Sequence, residues 1–76
     1  MNVTRRRALS KLSARLDEIA DELEEISEDE RDASENLPDS MEERKADMES
    51  NADEIANAVD AVRSAVESLT SIDGVT

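Results

Sequence analysis

The segment ENLPDSMEE (residues 35–43) contains Pro38, the single proline of a 76-residue chain whose single glycine is Gly74. A residue that precedes proline is disfavoured in helical geometry, so a helix that arrives from the N-terminal side should end near Leu37. Pro38 itself suits the first turn of a new helix. The segment therefore predicts two helical halves that are joined by a short turn.

Two rows of apolar residues run outward from Pro38 in steps of three and four, the spacing that places residues on one face of a helix. The first row consists of Leu37, Ala33, Ile26, Leu23, Ile19, Leu16, Leu12 and Leu9. The second row consists of Met41, Met48, Ala52, Ile55, Val59, Val62, Val66 and Leu69. A reversal at Pro38 would place Leu23 near Ile55. We therefore predict an all-α fold, a long coiled-coil-like antiparallel two-helix hairpin. It has one domain over 1–76, with helices over about 4–35 and 40–72 and a turn at 36–39.

Several residues have the side chains that commonly begin or end helices. Thr4 or Asn2 can cap the first helix, because a short side-chain oxygen accepts a bond from a free N–H group. Asn36 suits a left-handed terminal residue, and Gly74 suits the end of the second helix. The sequence from Ser40 to Glu43 fits a capping box at the start of the second helix.

A second set of mostly small residues recurs every seven positions beside the apolar rows. It consists of Ser13, Ala20, Ser27 and Ser34 on the first helix and Asn51, Ala58, Ala65 and Ile72 on the second. A lone two-helix hairpin has too small a core to offset about 1.5 kcal/mol of entropy per ordered residue. We therefore expect a homodimer that forms a four-helix bundle. Its predicted interface contains Ala20, Ser27, Asn51, Ala58, Ala65 and Ile72.

The turn end of the hairpin contains polar residues between the helices. Glu30 could pair with Lys45 or Arg44 and fix the register, as a specificity device that adds little stability. Alternatively this end is solvated and loosely packed. Both interpretations remain open from the sequence.

Charge is distributed unevenly along the chain, whose net charge is −12. Residues 1–15 carry +5, residues 16–54 carry −15 and residues 55–76 carry −2. The acidic part disfavours binding to nucleic acid or to an anionic membrane and favours a basic protein as partner. No apolar run approaches the roughly 20 residues needed to span a membrane, and no apolar segment follows the N-terminal arginines as in a secretory signal. We therefore expect a cytoplasmic protein with no membrane contact.

The residue types do not favour an enzyme. The chain has no histidine and no cysteine, so the usual general bases and thiol nucleophiles are missing. A di-metal site in a helical bundle needs inward-facing Glu-x-x-His motifs, and residues 28–35 lack the glycine of a calcium loop. We predict no catalytic residues, no metal site and no cofactor.

The first helix carries an acidic ridge, which we define as Asp17, Asp21, Glu24, Glu25, Glu28 and Asp32. Its like-charged neighbours at i,i+4 oppose helix formation, so the ridge calls for an explanation. One interpretation is a solvated face that serves solubility. The other is a row of negative charge that binds a basic groove, as a nucleic-acid mimic does.

At the N-terminal end of the first helix, Arg5, Arg6 and Arg7 oppose the helix dipole. Neutralisation by Glu67 or Asp73 would explain them, and a contact with phosphate or membrane is the alternative.

The turn ENLPDSMEE and the segment AVDAV (58–62) resemble small helical-hairpin proteins that are encoded by bacteriophages and mobile elements and have no assigned function. Their turn reads Asn-Leu-Pro-acid-Ser, and residues 44–54 depart from their pattern in having no glycine after the turn. The resemblance implies a phage accessory protein that acts in the cytoplasm of a bacterial host, and acidic inhibitors of host defence are one such class.

Three functional hypotheses follow. The first is a non-enzymatic module whose acidic face binds a basic protein. The second is a purely structural oligomerisation module with no partner for that face. The third, nucleic-acid binding through residues 5–15, is the weakest because no aromatic residues accompany the basic ones.

Overall fold

The chain forms one antiparallel hairpin of two long helices. The structure, a computed structural model, describes residues 2–75. Helix α1 spans Val3–Glu35, a 3-10 turn spans Asp39–Met41, and helix α2 spans Glu42–Thr70. The two helices pack along their length in a rod of 59 × 14 × 11 Å, and residues 2–75 contain no strand. The predicted all-α hairpin is confirmed, with helix boundaries within two residues of those expected.

Helix α1 is capped at its N-terminus by Asn2, one of the two predicted caps. The side chain of Asn2 accepts a hydrogen bond from the backbone N–H of Arg5 at 2.8 Å. At the other end Asn36 has a right-handed conformation (φ −84°, ψ −6°), so the predicted left-handed terminus is wrong. The N–H of Asn36 donates to the carbonyl of Asp32, and that of Leu37 donates to the carbonyl of Ser34. The helix therefore ends without a residue in the left-handed conformation.

The predicted capping box at Ser40 is also wrong. The backbone N–H of Met41 donates to the carbonyl of Pro38 at 2.9 Å, which closes a tight 3-10 turn. Helix α2 therefore starts after that turn, at Glu42, without a side-chain cap. Glu42 and Glu43 lie in its first turn, where the helix dipole favours negative charge.

The C-terminal segment folds back after α2. The chain turns through Gly74, whose φ of +83° is a left-handed conformation that favours glycine. A Cβ atom added there would lie 2.7 Å from Cδ of Arg6, so the turn also depends on a close approach to α1. Val75, which follows the turn, is buried with 1% of its surface exposed, and its backbone N–H donates to the carbonyl of Ile72 at 3.0 Å.

The centre of the hairpin is filled by the small residues of α1. We call Ser13, Ala20, Ser27 and Ser34 the small row; they are 0–5% exposed. They alternate with Leu9, Leu16 and Leu23, which are half-buried, and face α2 at Ala52 and Val59, which are buried.

Three large residues of the predicted apolar row lie outside this centre. We call Leu12, Ile19 and Ile26 the outer apolar row; they are 46%, 44% and 53% exposed. Their predicted place in the hairpin core is wrong, because α1 is rotated by one heptad position toward the small row. Small side chains let two helix backbones approach closely, and large side chains at the same positions would hold them apart.

A buried hydrogen bond joins the two helices near their middle. The hydroxyl of Ser27 donates to the carbonyl of Ala52 at 2.8 Å. A buried hydroxyl without a partner is costly, so a shift of one helix along the other would be penalised. Of the two interpretations of the turn end, the pairing of Glu30 with Lys45 or Arg44 is not found within residues 2–75; Lys45 instead forms an ion pair with Asp39 at 3.8 Å. The buried hydrogen bond of Ser27 therefore constrains the register, whereas a pairing of Glu30 does not.

The rotation of α1 can be tested with one substitution at two positions. Ala20 is fully buried in the small row, whereas Ala14 lies exposed on the same helix. Ala20→Leu should lower the free energy of unfolding by about 1–3 kcal/mol, because overpacking separates the helices. Ala14→Leu should leave it nearly unchanged. Urea unfolding followed by circular dichroism measures both, and equal effects would contradict the proposed packing.

The hydrogen bond from Ser27 can be tested against a matched serine. Ser27→Ala removes the buried bond, whereas Ser64→Ala changes an exposed residue inside α2. Both gain helix propensity, so their difference isolates the bond. The Ser27 variant should be less stable than the Ser64 variant by about 1 kcal/mol in thermal unfolding. If the Ser27 variant were the more stable of the two, the bond would not hold the register.

Candidate functional site

The hairpin has two different long faces. Glu24 follows Ala20 by four residues, and Arg63 follows Val59 by four, so in an antiparallel pair both flank the same side of the contact. The outer apolar row precedes the small row by one residue and flanks the other side. We call these the charged face and the apolar face.

Arginines bridge the two helices on the charged face. Arg63 donates to Asp21 at 3.1 Å and to Glu24 at 2.8 Å, and Arg31 donates to Asp53 at 3.0 Å. The hydrogen bonds to Asp21 and to Glu24 raise the pKa of Arg63 and so favour its charged form. Because these groups are largely exposed, the bridges orient the helices more than they stabilise them.

All six residues of the acidic ridge lie on the exposed surface of α1. Arg63 neutralises two of them in part, Asp21 and Glu24. The other four make no ion pair within residues 2–75; they are Asp17, Glu25, Glu28 and Asp32. The structure thus leaves most of the predicted repulsion along the ridge unrelieved.

A shallow groove runs between the helices on the charged face. It has a volume of about 220 Å³, and the carboxylates of Glu24, Glu28 and Asp60 line it together with Arg31. These acids do not converge as metal ligands, since residues 2–75 hold no group of three or more side chains suited to a metal ion. The groove could accept the basic side chain of a partner.

The apolar face contains a larger groove of about 590 Å³. Its floor is formed by Leu9, Leu12, Leu16, Ile19 and Leu69, and its rim by Arg15, Glu18 and Glu22. Leu12 and Ile19 of the outer apolar row belong to this floor, and the third member of the row, Ile26, lies beyond the groove along α1. A stripe of leucine and isoleucine side chains therefore faces outward over more than two helical turns.

The predicted dimer interface divides into two parts. Ala20 and Ser27 are buried between α1 and α2, so they cannot contact a second copy, and this part of the prediction is wrong. Its physical reason is the rotation of α1, which uses the small row inside the hairpin. On α2, Asn51, Ala58 and Ala65 are exposed and lie on the apolar face by their heptad spacing, whereas Ile72 is half-buried and lies beyond the end of the helix. Sequence reasoning missed the outer apolar row as a surface feature, because large aliphatic residues were assigned to the core.

The basic end of the hairpin is only weakly neutralised. Arg6 lies 4.0 Å from Asp73, whose side chain is fully exposed, and Glu67 forms no ion pair within residues 2–75. Nε of Arg6 is buried without a hydrogen-bond partner in that range. The cluster of Arg5, Arg6 and Arg7 therefore remains a region of positive charge.

Neither helix within residues 2–75 combines the length and the apolar character that crossing a bilayer would demand. In comparisons with known proteins, no family model, no curated protein and no solved structure matches the chain.

Proposed function

We propose that the hairpin is a non-enzymatic interaction protein whose acidic ridge binds a basic surface on another protein. The observation that carries the proposal is the row of exposed, unpaired carboxylates along α1. The chain places Arg63 and Arg31 where they bridge the helices, yet leaves Glu25, Glu28 and Asp32 without a cation. A surface needed only for solubility would tolerate interspersed lysines.

The ridge has an energetic cost that binding would offset. The four like-charged i,i+4 pairs within the ridge, at roughly 0.2–0.5 kcal/mol each, destabilise the helix by about 1–2 kcal/mol. A contiguous row of one sign, however, attracts an oppositely charged surface and speeds association. A basic partner would convert repulsion within the ridge into attraction across an interface.

The spacing of the charges supports nucleic-acid mimicry as the mode of binding. From Asp17 to Asp32 the ridge spans about 22 Å at 1.5 Å per residue. Its six carboxylates, two of which pair with Arg63, are therefore on average about 4–5 Å apart along the helix axis, against about 3.4 Å per phosphate along one DNA strand. A straight acidic rod could occupy a groove that binds a nucleic-acid backbone.

The resemblance of the turn to phage and mobile-element hairpins supports a biological setting for this activity. In it the protein is an accessory factor in the cytoplasm of a bacterial host, and it inhibits a basic host or defence protein.

The alternative function is structural. The outer apolar row favours an oligomerisation module, because exposed contiguous aliphatic surface is typical of protein–protein contacts. In that case the acidic ridge only keeps the assembly dissolved.

The two functions can be separated by removing the unpaired charges of the ridge. The ridge variant carries Glu25→Gln, Glu28→Gln and Asp32→Asn. The matched control loses three charges elsewhere, through Glu43→Gln, Asp47→Asn and Glu54→Gln, at positions that are all exposed. The ridge variant should unfold at a temperature at least as high as the parent, because repulsive pairs are lost.

Binding is compared by immobilising the parent, the ridge variant and the control and quantifying captured bacterial proteins by mass spectrometry. A true partner should be enriched on the parent and the control, and at least tenfold depleted on the ridge variant. It should be released by added salt and displaced by double-stranded DNA. If every captured protein binds the ridge variant and the control equally, the ridge is a solvated surface and the structural function stands.

A further inference from the structure

We infer that the apolar face is covered by a second copy of the chain that lies reversed end for end, with α1 of one copy packed antiparallel on α1 of the other. This inference concerns the face opposite the arginine bridges and is independent of whether the acidic ridge binds a partner. It differs from the predicted dimer in the contact row on α1, which is the outer apolar row in place of Ala20 and Ser27, and it adds an orientation, which the sequence did not predict.

The hairpin buries small apolar side chains and leaves larger ones exposed. The buried apolar side chains within residues 2–75 are those of Ala20, Ala52, Val59 and Val75, all of them small or medium in size. The larger Leu12, Ile19 and Ile26 stay about half exposed. Covering them would add aliphatic burial at about 25 cal/mol per Å², which a thin hairpin needs.

The uneven distribution of charge along α1 determines which orientation of the second copy is favoured. Residues 1–15 carry five cations and no acid, whereas residues 20–37 carry nine acids and one cation, Arg31. A reversed copy places the basic segment of each α1 beside the acidic segment of the other. A copy with the same ends together would bring the acidic segments of both chains against each other. Charge complementarity therefore favours a reversed second copy over a parallel one.

The position of the apolar residues along α1 sets the register of the two copies. The apolar stripe from Leu9 to Ile26 has its midpoint between residues 17 and 18, close to residue 19, the midpoint of α1. A reversed copy centred there overlaps both rods along nearly their whole 59 Å length. On α2 the exposed Ala58 and Ala65 flank the same level of the hairpin, so the two α2 helices can approach closely there as well.

This register also pairs charges at the rim. Arg15 and Glu22 border the groove on the apolar face, seven residues apart on one side of α1. In the reversed dimer Arg15 of each copy lies beside Glu22 of the other, which gives two symmetric ion pairs. They flank the two copies of Glu18, the third charge of the rim, which lies near the centre of the register. The acidic ridge remains open to solvent, because it lies away from the contact.

The orientation is tested by distances between spin labels. The chain has no cysteine, so Asp17→Cys and Asp32→Cys each provide one nitroxide site per copy, away from the apolar face. In the reversed dimer the two labels at position 17 are less than about 10 Å apart along the axis, and those at 32 are about 40 Å apart. Pulsed dipolar spectroscopy should therefore give a much longer distance at 32 than at 17.

Two outcomes of that experiment would overturn the inference. Similar distances at both positions would mean that the copies share the same ends. A sample that shows no intermolecular coupling, and whose mass in sedimentation equilibrium stays that of one chain up to hundreds of micromolar, would mean that no second copy binds.

Charge reversal tests the contact itself without touching apolar residues. Arg15→Glu and Glu22→Arg should each weaken dimerisation about tenfold, because both rim pairs become repulsive. The double variant, whose net charge equals that of the parent, should recover the parent affinity in sedimentation equilibrium. Failure of the double variant to recover would contradict the proposed pairing even if a dimer forms.

Discussion

The architecture depends on the close approach of α1 and α2 at the small row. Serine and alanine side chains at this contact bring the backbones near enough for the hydroxyl of Ser27 to reach the carbonyl of Ala52. That bond adds a directional constraint to an interface of otherwise non-directional apolar contacts. Close packing of small groups and one buried hydrogen bond together fix the distance and the register of the helices.

The same constraint determines what the surface presents. When the central row of α1 is small, the large aliphatic residues of the neighbouring row cannot enter the centre and must face outward. The opposite side of the contact then receives Glu24 and Asp21, within reach of Arg63. One packing choice thus produces both a charged face and an apolar face. The faces are suited to different partners because electrostatic attraction and aliphatic burial recognise different surfaces.

The sequence predicted the elements better than their rotation. Pro38 and the glycine-free flanks determine where two helices begin and end, and local sterics act there whatever the tertiary structure is. The rotation of α1 depends on which of three adjacent rows packs best against α2, and hydrophobicity alone favoured the row of Ile19 over that of Ala20. The signal for the rotation of α1 was the row of serine and alanine residues that alternates with leucines. A row in which every side chain is small is typical of a close contact between helices.

The local errors have a similar origin. Asn36 and Ser40 were assigned by residue preference, which describes an isolated helix end. In the structure, backbone hydrogen bonds of the turn, such as that from Met41 to Pro38, satisfy the same groups first. The acidic ridge could be predicted from the sequence, because charged residues that recur at helical spacing lie on an exposed face of the helix. Its pairing with Arg63 was not, because that contact joins residues about 40 positions apart.

A net charge of −12 on each chain opposes self-association, but the strength of this repulsion depends on the distance between the charges. At physiological ionic strength the Debye length is about 8 Å, so exposed charges farther apart than this interact weakly. In the reversed dimer the two acidic ridges lie on outer surfaces, separated by at least two helix diameters of about 10 Å each. Arg15 and Glu22 meet at contact distance, where screening is least effective. The long-range repulsion is therefore largely screened while the short-range attraction is retained, and a strongly acidic chain can bind its own copy through one face and keep the other for a basic partner.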